Sequence, residues 1–205
     1  CSIKQPVLFN FDSINPDFYD KINSDTFSNN ENHDVKVKDI RDYYKNDSID
    51  YIVLPASSAI NLMKTDTRSN YFTENNEDFI ENADLYHILH TNDTYLKPQL
   101  SMITKYDILT GSSKSVTPLR YHTDFRKFIS VHSGKVKIKM TPWKSHKHLL
   151  PYRDFENYEF RSRINVWNPD KKHKSDFDKL KFLEFDITPG NTLHIPPYWW
   201  YSIQF

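Results

Sequence analysis

A histidine and an aspartate stand two residues apart in the segment His122-Thr123-Asp124, and no other pair in the chain is better placed to bind a metal ion. On a β-strand, side chains at positions i and i+2 point to the same face of the sheet, so the imidazole of His122 and the carboxylate of Asp124 can share one metal ion. The pair is weak support by itself, because the chain holds 9 histidines and many aspartates. The surrounding sequence must decide whether the pair is functional.

Other patterns associated with catalysis are weaker or missing. His146 and His148 have the spacing of a metal-binding pair, but they lie among lysines, which favours a solvated loop. The sequence contains no glycine-rich phosphate loop and no serine in a nucleophile elbow. Arg120, which precedes the histidine, is interpreted as a surface or ion-pair residue rather than as an anion site.

Composition excludes several classes of protein. The 205 residues include 27 Lys and Arg and 27 Asp and Glu, so the formal net charge is zero and we expect no nucleic-acid partner. Aromatic residues make up 15% of the chain, which is too many for a disordered protein. No apolar run approaches the roughly 20 residues of a membrane helix, so we expect no membrane segment in the chain as given. The single cysteine forbids an internal disulfide bond.

Hydrophobic periodicity predicts helices in the first half of the chain and strands in the second. Helices are expected at 16–23 and 77–89, with 23–34 as a polar connection and short strands near 35–38 and 51–54. The apolar stripe of the second helix consists of Phe79, Ile80, Ala83, Tyr86 and Leu89. Strands are expected at 100–109, 125–131, 136–140, 182–187, 192–195 and 201–205.

The order of these elements predicts an α+β fold that is mainly β. Residues 1–99 are expected to form a helix and strand region that packs on a β-rich core of residues 100–205. Residues 141–181 form a long irregular insertion within the core, and insertions of this length usually cover a site or a partner surface.

Four strings in the second half carry a family resemblance. They resemble the JmjC and cupin-like oxygenase family, nearest to its asparaginyl-hydroxylase-like branch, over about residues 100–205. The most specific is the last, in which a glycine turn, a short strand, Ile-Pro and a tryptophan pair follow one another. The strings are VTPLRYHTD at 116–124, FISV at 128–131, MTPW at 140–143 and PGNTLHIPPYWW at 189–200.

The resemblance implies a double-stranded β-helix, the jelly-roll or cupin-like barrel. It implies that Fe(II) is held by His122, Asp124 and a distal histidine, with 2-oxoglutarate chelating the metal. Three protein ligands on one side of the ion leave the opposite positions for cosubstrate and oxygen. Thr117 matches the threonine of the family, whose hydroxyl can reach the cosubstrate carboxylate.

This chain departs from the family pattern in three places. Tyr201 occupies the position of the distal histidine, and a neutral phenol, with a pKa of about 10, is a poor ligand for Fe(II) at neutral pH. Val136 occupies the position of the lysine that pairs with 2-oxoglutarate, and strand alternation sends the neighbouring lysines to the other face. The spacing from Thr117 to the histidine is also two residues longer than usual, so Arg120 or Tyr121 is an alternative occupant of the histidine position.

Two functions remain as hypotheses. The first is a degenerate member of the fold that has lost oxygenase activity, needs no cofactor and acts as a binding or structural module with a protein partner. The second is an active Fe(II)- and 2-oxoglutarate-dependent protein hydroxylase with His122 and Asp124 as ligands. A sugar-binding or small-molecule-binding cupin is a more distant third. The Asn- and Lys-rich composition suggests an AT-rich genome, such as that of a large DNA virus. The localisation stays open between the cytoplasm and a virus particle.

The last predicted strand ends at Phe205. Family members have at least one more strand after the tryptophan pair, so the C-terminal strands of the barrel are expected to be missing or to be supplied by a partner. An unpaired sheet edge at this point would favour assembly.

Overall fold

The computed structural model describes residues 4–45, 50–155 and 158–205. Short helices and strands alternate in the first half of the chain. Its elements are β1 Val7–Asn10, α1 Pro16–Lys21, α2 Thr26–Asn29, β2 Asp34–Asp39, α3 Asp42–Lys45, β3 Ile52–Pro55, α4 Ala56–Thr65, β4 Tyr71–Thr73, α5 Glu77–Asn82, α6 Tyr86–His90 and α7 Asp93–Leu96.

Strands dominate the second half. They are β5 Arg120–Tyr121, β6 Lys127–Ser130, β7 Val136–Thr141, β8 Pro151–Asp154, β9 Glu159–Ser162, β10 Leu183–Ile187, β11 Asn191–Ile195 and β12 Trp200–Gln204. The 3-10 helices Trp143–His148 and Lys171–His173 and the helix α8 Lys174–Phe177 lie between β7 and β10.

The strands form three antiparallel sheets. The larger barrel sheet has the order β10-β7-β12-β5-β9-β8, the smaller barrel sheet has the order β1-β11-β6, and the N-terminal sheet has the order β3-β2-β4. Ile138, Met140 and Ile203 of the larger barrel sheet pack with Leu193 and Ile195 of the smaller one in a single buried core. Two antiparallel sheets that enclose one core are the architecture expected for a jelly roll, so the predicted fold class is confirmed.

Strand alternation in β7 follows the prediction. Ile138 and Met140 are fully buried, and Val136 packs against the same core. Lys137 and Lys139 lie on the opposite face, where they approach Asp186 and Glu184 of β10. The lysines of this strand therefore point away from the barrel interior.

The N-terminal segment contributes directly to the barrel. β1 pairs with β11 in the register Val7↔His194, and the indole Nε1 of Trp199 donates a hydrogen bond to the carbonyl of Lys4 at 3.1 Å. The division at residues 99 and 100 stays a prediction, but one strand from the first range is hydrogen-bonded into the sheet of the second.

Several elements differ from the sequence-based expectation. The helix predicted at 77–89 is interrupted between α5 and α6, because Asp84 adopts a left-handed conformation with φ +52°. Tyr86, which was expected in the buried stripe, is consequently exposed. Residues 100–109 form no strand, and the connection 23–34 contains α2. The insertion 141–181 is less irregular than expected, because β8 and β9 pair as a hairpin that extends the larger barrel sheet.

The unpaired sheet edge expected at the strand that ends near Phe205 is not found, because β12 pairs with β7 on one side and with β5 on the other. Assembly of the domain through an open edge stays a prediction. Within residues 4–45, 50–155 and 158–205, every helix is too short or too polar to cross a bilayer.

A buried charge cluster joins the N-terminal sheet to the larger barrel sheet. Glu74, which follows β4, is buried, and its carboxylate contacts Lys38 Nζ of β2 at 2.9 Å and Arg120 Nη2 of β5 at 2.5 Å. The hydroxyl of Tyr43 donates to Glu74 Oε1 at 2.8 Å, and Lys38 also contacts Glu159 Oε1 at 3.0 Å. Burial alone would raise the pKa of Glu74, but Arg120 and Lys38 outweigh it and hold that pKa well below its usual value.

Glu74→Gln tests the role of this charge cluster. The amide can still accept the hydrogen bond from Tyr43 but leaves Lys38 and Arg120 without their shared counter-charge, and breaking a buried ion pair typically costs about 3–5 kcal/mol. Urea denaturation should show a loss of that size in the free energy of unfolding. The control is Asp78→Asn, which removes the exposed Lys36–Asp78 pair and should cost at most about 1 kcal/mol. Equal effects of the two substitutions would contradict this interpretation.

Candidate functional site

His122 lies just beyond β5, in the segment that connects β5 to β6. Its carbonyl accepts a hydrogen bond from the backbone N–H of Tyr198 at 2.9 Å, which fixes the segment against the loop before β12. The side chain of His122 is buried, and its Nδ1 lies 3.6 Å from Asp124 Oδ2. Asp124 is 67% exposed. The structure thus brings the predicted pair together, with the imidazole inside and the carboxylate mostly in solvent.

The imidazole of His122 is neutral at physiological pH. Burial lowers its pKa to about 4, and the nearby charge of Lys127 acts in the same direction, whereas Asp124 and the backbone at Ile195 favour the protonated form. Neither ring nitrogen has a partner with hydrogen-bond geometry among the described residues. A neutral imidazole has a free lone pair, which is the state a metal ligand requires.

Tyr201, at the predicted third-ligand position, is packed in the barrel interior. It lies in β12 between Met140 of β7 and Arg120 of β5, and it is only 2% exposed. Its ring centroid is 6.0 Å from that of His122. The guanidinium of Arg120 and the ammonium of Lys127 each lie 5.8 Å from the ring centroid of Tyr201. The phenol therefore contacts the histidine and two cations at the place where the family resemblance puts a metal ligand.

Thr117 holds β12 in position. Its backbone N–H donates to the carbonyl of Ile203 at 2.8 Å, and its Oγ1 accepts from the N–H of Ile203 at 2.9 Å. The hydroxyl of Ser202 donates to the carbonyl of Thr117 at 2.6 Å. The threonine is fully buried, and in the structure it anchors β12 through these hydrogen bonds. Its contact with a cosubstrate stays a prediction.

These residues do not form a three-ligand metal site. Across the described parts of the chain, no three His, Cys, Asp or Glu side chains are grouped so that they could hold a metal ion. The alternative occupants of the histidine position offer no ligand either. Arg120 pairs with Glu74, and the ring of Tyr121 stacks on Phe160 at 5.0 Å. Two ligands and a phenol do not fit the facial triad of a ferrous oxygenase.

Lys127 is a further residue of this site that was not among the candidates found from the sequence. It shares the inner face of β6 with Ile129, which packs in the barrel core, and its ammonium lies over Tyr201. No carboxylate among the described residues forms an ion pair with it. Alternation within 127–131 carries the signal that could have revealed it, because Ile129 and Val131 are the inward-facing partners of Lys127.

A cavity of about 490 Å³ lies at the rim of the barrel, next to the His122–Asp124 segment. We call it the rim cavity. Its walls are largely apolar, and Thr117, His122, Asp124 and Tyr201 do not line it. Its lining residues are Lys4, Phe125, Arg126, Trp143, His194, Pro196, Pro197 and Tyr198.

The remaining histidine pair does not act together as a metal site. The ring of His146 stacks on Trp143 with centroids 4.9 Å apart, whereas His148 Nδ1 contacts Asp176 Oδ1 at 3.2 Å. Each histidine thus has a separate structural neighbour.

Comparison with known proteins agrees with this architecture. The family model for the cupin-like domain matches residues 9–205, which is nearly the whole chain. The chain belongs to the cupin-like domain family. Because the match begins at residue 9, this cupin-like domain extends across both of the regions predicted from the sequence.

Curated relatives match a shorter part of the cupin-like domain. The JmjC domain-containing protein D of Dictyostelium discoideum is 28% identical over 94 residues, which are 46% of this chain and 21% of that protein. The HSPB1-associated protein 1 of Bos taurus is 28% identical and that of Homo sapiens 27% identical, each over 95 residues that cover 46% of this chain and 20% of the relative. The matched segment therefore spans about a fifth of each relative.

His122→Gln tests the protonation state of the buried histidine. Because the folded-state pKa of about 4 lies below the unfolded value of about 6.5, the unfolded state binds the proton first and stability falls as the pH drops through this range. Between pH 7 and pH 5 this linkage removes about 2 kcal/mol, and His122→Gln should abolish that part of the loss. Denaturant titrations at both pH values measure it.

The matched control is His87→Gln, which changes an exposed histidine and should leave the pH dependence as in the unmodified protein. An unchanged pH dependence in His122→Gln would show that His122 does not resist protonation in the folded state.

Proposed function

We propose that this cupin-like domain is a binding or structural module that works without an iron centre. The observation that carries the proposal is the burial of Tyr201, a phenol, at the position where the family resemblance places the third metal ligand. A phenol must lose its proton before it becomes a strong ligand, and its usual pKa of about 10 opposes this at neutral pH.

The electrostatics around Tyr201 also oppose a divalent cation. The side chains of Arg120 and Lys127 both approach its ring, and the charge of Lys127 has no carboxylate partner among the described residues. A cation placed between His122 and Tyr201 would be repelled by that ammonium, since like charges interact strongly where water is excluded. The surroundings of this position therefore favour an anion or a neutral group over a metal ion.

An apolar side chain occupies the position where the resemblance implies a lysine that anchors the cosubstrate. Val136 packs into the apolar core at the position of the expected lysine, and the lysines of β7 point outward. This arrangement supports a scaffold whose core is filled by its own side chains. A fold of this kind does not by itself specify oxygenase activity.

Exposed apolar residues support a protein partner for the module. Leu100 is 99% exposed, and Met102 and Ile103 are exposed beside it. Contiguous exposed apolar side chains often mark protein interaction sites. One relative is named for its association with another protein, HSPB1. A place in a virus particle rests on composition alone and stays a prediction.

The test is a calorimetric titration with Mn(II), used as a redox-stable substitute for Fe(II), in the presence of 2-oxoglutarate. The unmodified domain should show no stoichiometric binding at millimolar metal. Tyr201→His, which supplies the missing imidazole, should gain binding, and Tyr201→Phe, which removes only the hydroxyl, should behave like the unmodified domain. Thermal unfolding of each variant checks that it is folded.

Stoichiometric binding by the unmodified domain would overturn the proposal, and its loss in His122→Ala would locate the metal. That outcome would favour the second candidate, an Fe(II)- and 2-oxoglutarate-dependent protein hydroxylase. The observation in favour of this second candidate is the neutral His122 imidazole, which lies next to Asp124 and has no partner with hydrogen-bond geometry at either nitrogen among the described residues.

A further inference from the structure

Three aromatic side chains from different segments form the walls of the rim cavity. Phe125 follows the His122–Asp124 segment and is 60% exposed, Trp143 begins the 3-10 helix after β7, and Tyr198 precedes β12. The rings of Trp143 and Tyr198 meet edge to face with centroids 5.5 Å apart. Trp143 is also stacked 6.3 Å from the fully buried Trp200, so this wall is held by the core. The cavity thus presents a supported aromatic surface.

The charged residues that line the rim cavity are all basic. They are Lys4 and Arg126, and no aspartate or glutamate belongs to the lining. Arg126 is positioned by a hydrogen bond from its Nη1 to the carbonyl of Leu96 at 3.1 Å. Within residues 4–45, 50–155 and 158–205, neither cation forms an ion pair with a carboxylate. The guanidinium therefore retains donors for an external anion.

His194 adds a buried polar group to the same cavity. It lies in β11 and is only 3% exposed, the backbone at Gln5 is close to its ring, and its Nδ1 has no partner with hydrogen-bond geometry among the described residues. Buried polar atoms normally have a partner, so an unpartnered one beside a cavity indicates a place for a ligand or a water molecule. The ring of His194 packs 5.3 Å from that of Phe128, which fixes its orientation.

We propose that the rim cavity binds a small molecule with a planar aromatic ring and an anionic group, either a carboxylate or a phosphate. The ring packs against Phe125, Trp143 and Tyr198, and the anion is held by Arg126 and Lys4. The volume of about 490 Å³ is within the usual range for small-molecule sites. The proposal goes beyond the binding-module function and does not depend on the state of the barrel interior, because the residues involved are different ones.

Calorimetry with phenyl phosphate as the probe tests the proposal, with EDTA present so that no metal contributes. Phenyl phosphate should bind with one-to-one stoichiometry. Cyclohexyl phosphate has the same charge without the aromatic ring and should bind at least threefold more weakly. Inorganic phosphate should show no saturable binding at 10 mM. Benzoate in place of phenyl phosphate shows which of the two anionic groups is preferred.

Two variants and one control assign the binding to this cavity. Arg126→Gln should weaken phenyl phosphate binding tenfold or more, because a charge-assisted hydrogen bond is lost. Phe125→Leu, at an exposed position, should weaken it about threefold without affecting the fold. Arg68→Gln removes an exposed arginine outside the cavity and should have no effect.

The proposal is wrong if phenyl phosphate does not bind at millimolar concentration, or if inorganic phosphate binds equally well. It is also wrong if the Phe125→Leu variant binds phenyl phosphate with the same affinity as the Arg68→Gln control. The Mn(II) titration tests for a metal centre in the barrel, whereas the phenyl phosphate titration tests for binding in the rim cavity. Either proposal can therefore fail without the other.

Discussion

The structure depends on one carboxylate that compensates two buried cations from different parts of the chain. Glu74 contacts Lys38 of the N-terminal sheet and Arg120 of the larger barrel sheet, and all three side chains lie largely out of water. Removing such charges from water is costly, so each must remain beside its partner. The contact therefore fixes the N-terminal sheet against the barrel. It also fixes Arg120 beside Tyr201, and so it shapes the part of the barrel interior where the family resemblance places a metal ion.

The scaffold of the cupin-like domain and its chemistry can be considered separately. The scaffold needs antiparallel strands, an apolar core and the hydrogen bonds by which Thr117 holds β12, and all of these are present. The metal chemistry that the family resemblance implies needs three ligands. His122 and Asp124 lie close together, but the third position is occupied by the phenol of Tyr201. The binding proposed at the rim cavity involves none of these three residues, although the core supports the aromatic wall of that cavity. The same fold can therefore lack oxygenase activity and still bind a ligand.

Sequence reasoning succeeded where periodicity is local and failed where distant residues decide. Alternation and glycine turns are local signals that predict strands at 136–140 and 192–195, and β7 and β11 are found there. The helix predicted at 77–89 is broken because Asp84 takes a left-handed conformation that its apolar stripe does not encode. The Glu74 contacts and the inward position of Lys127 depend on which strands become neighbours, and a single sequence does not specify that.

The most direct measurement of the central claim, that Tyr201 leaves the barrel without a metal centre, is electron paramagnetic resonance of Mn(II) mixed with an equimolar amount of the domain. Free aqueous Mn(II) gives a sharp six-line signal that is lost when the ion binds to a protein. The full signal should remain with the unmodified domain and should decrease with Tyr201→His. A stoichiometric loss of signal with the unmodified domain, restored by His122→Ala, would contradict it.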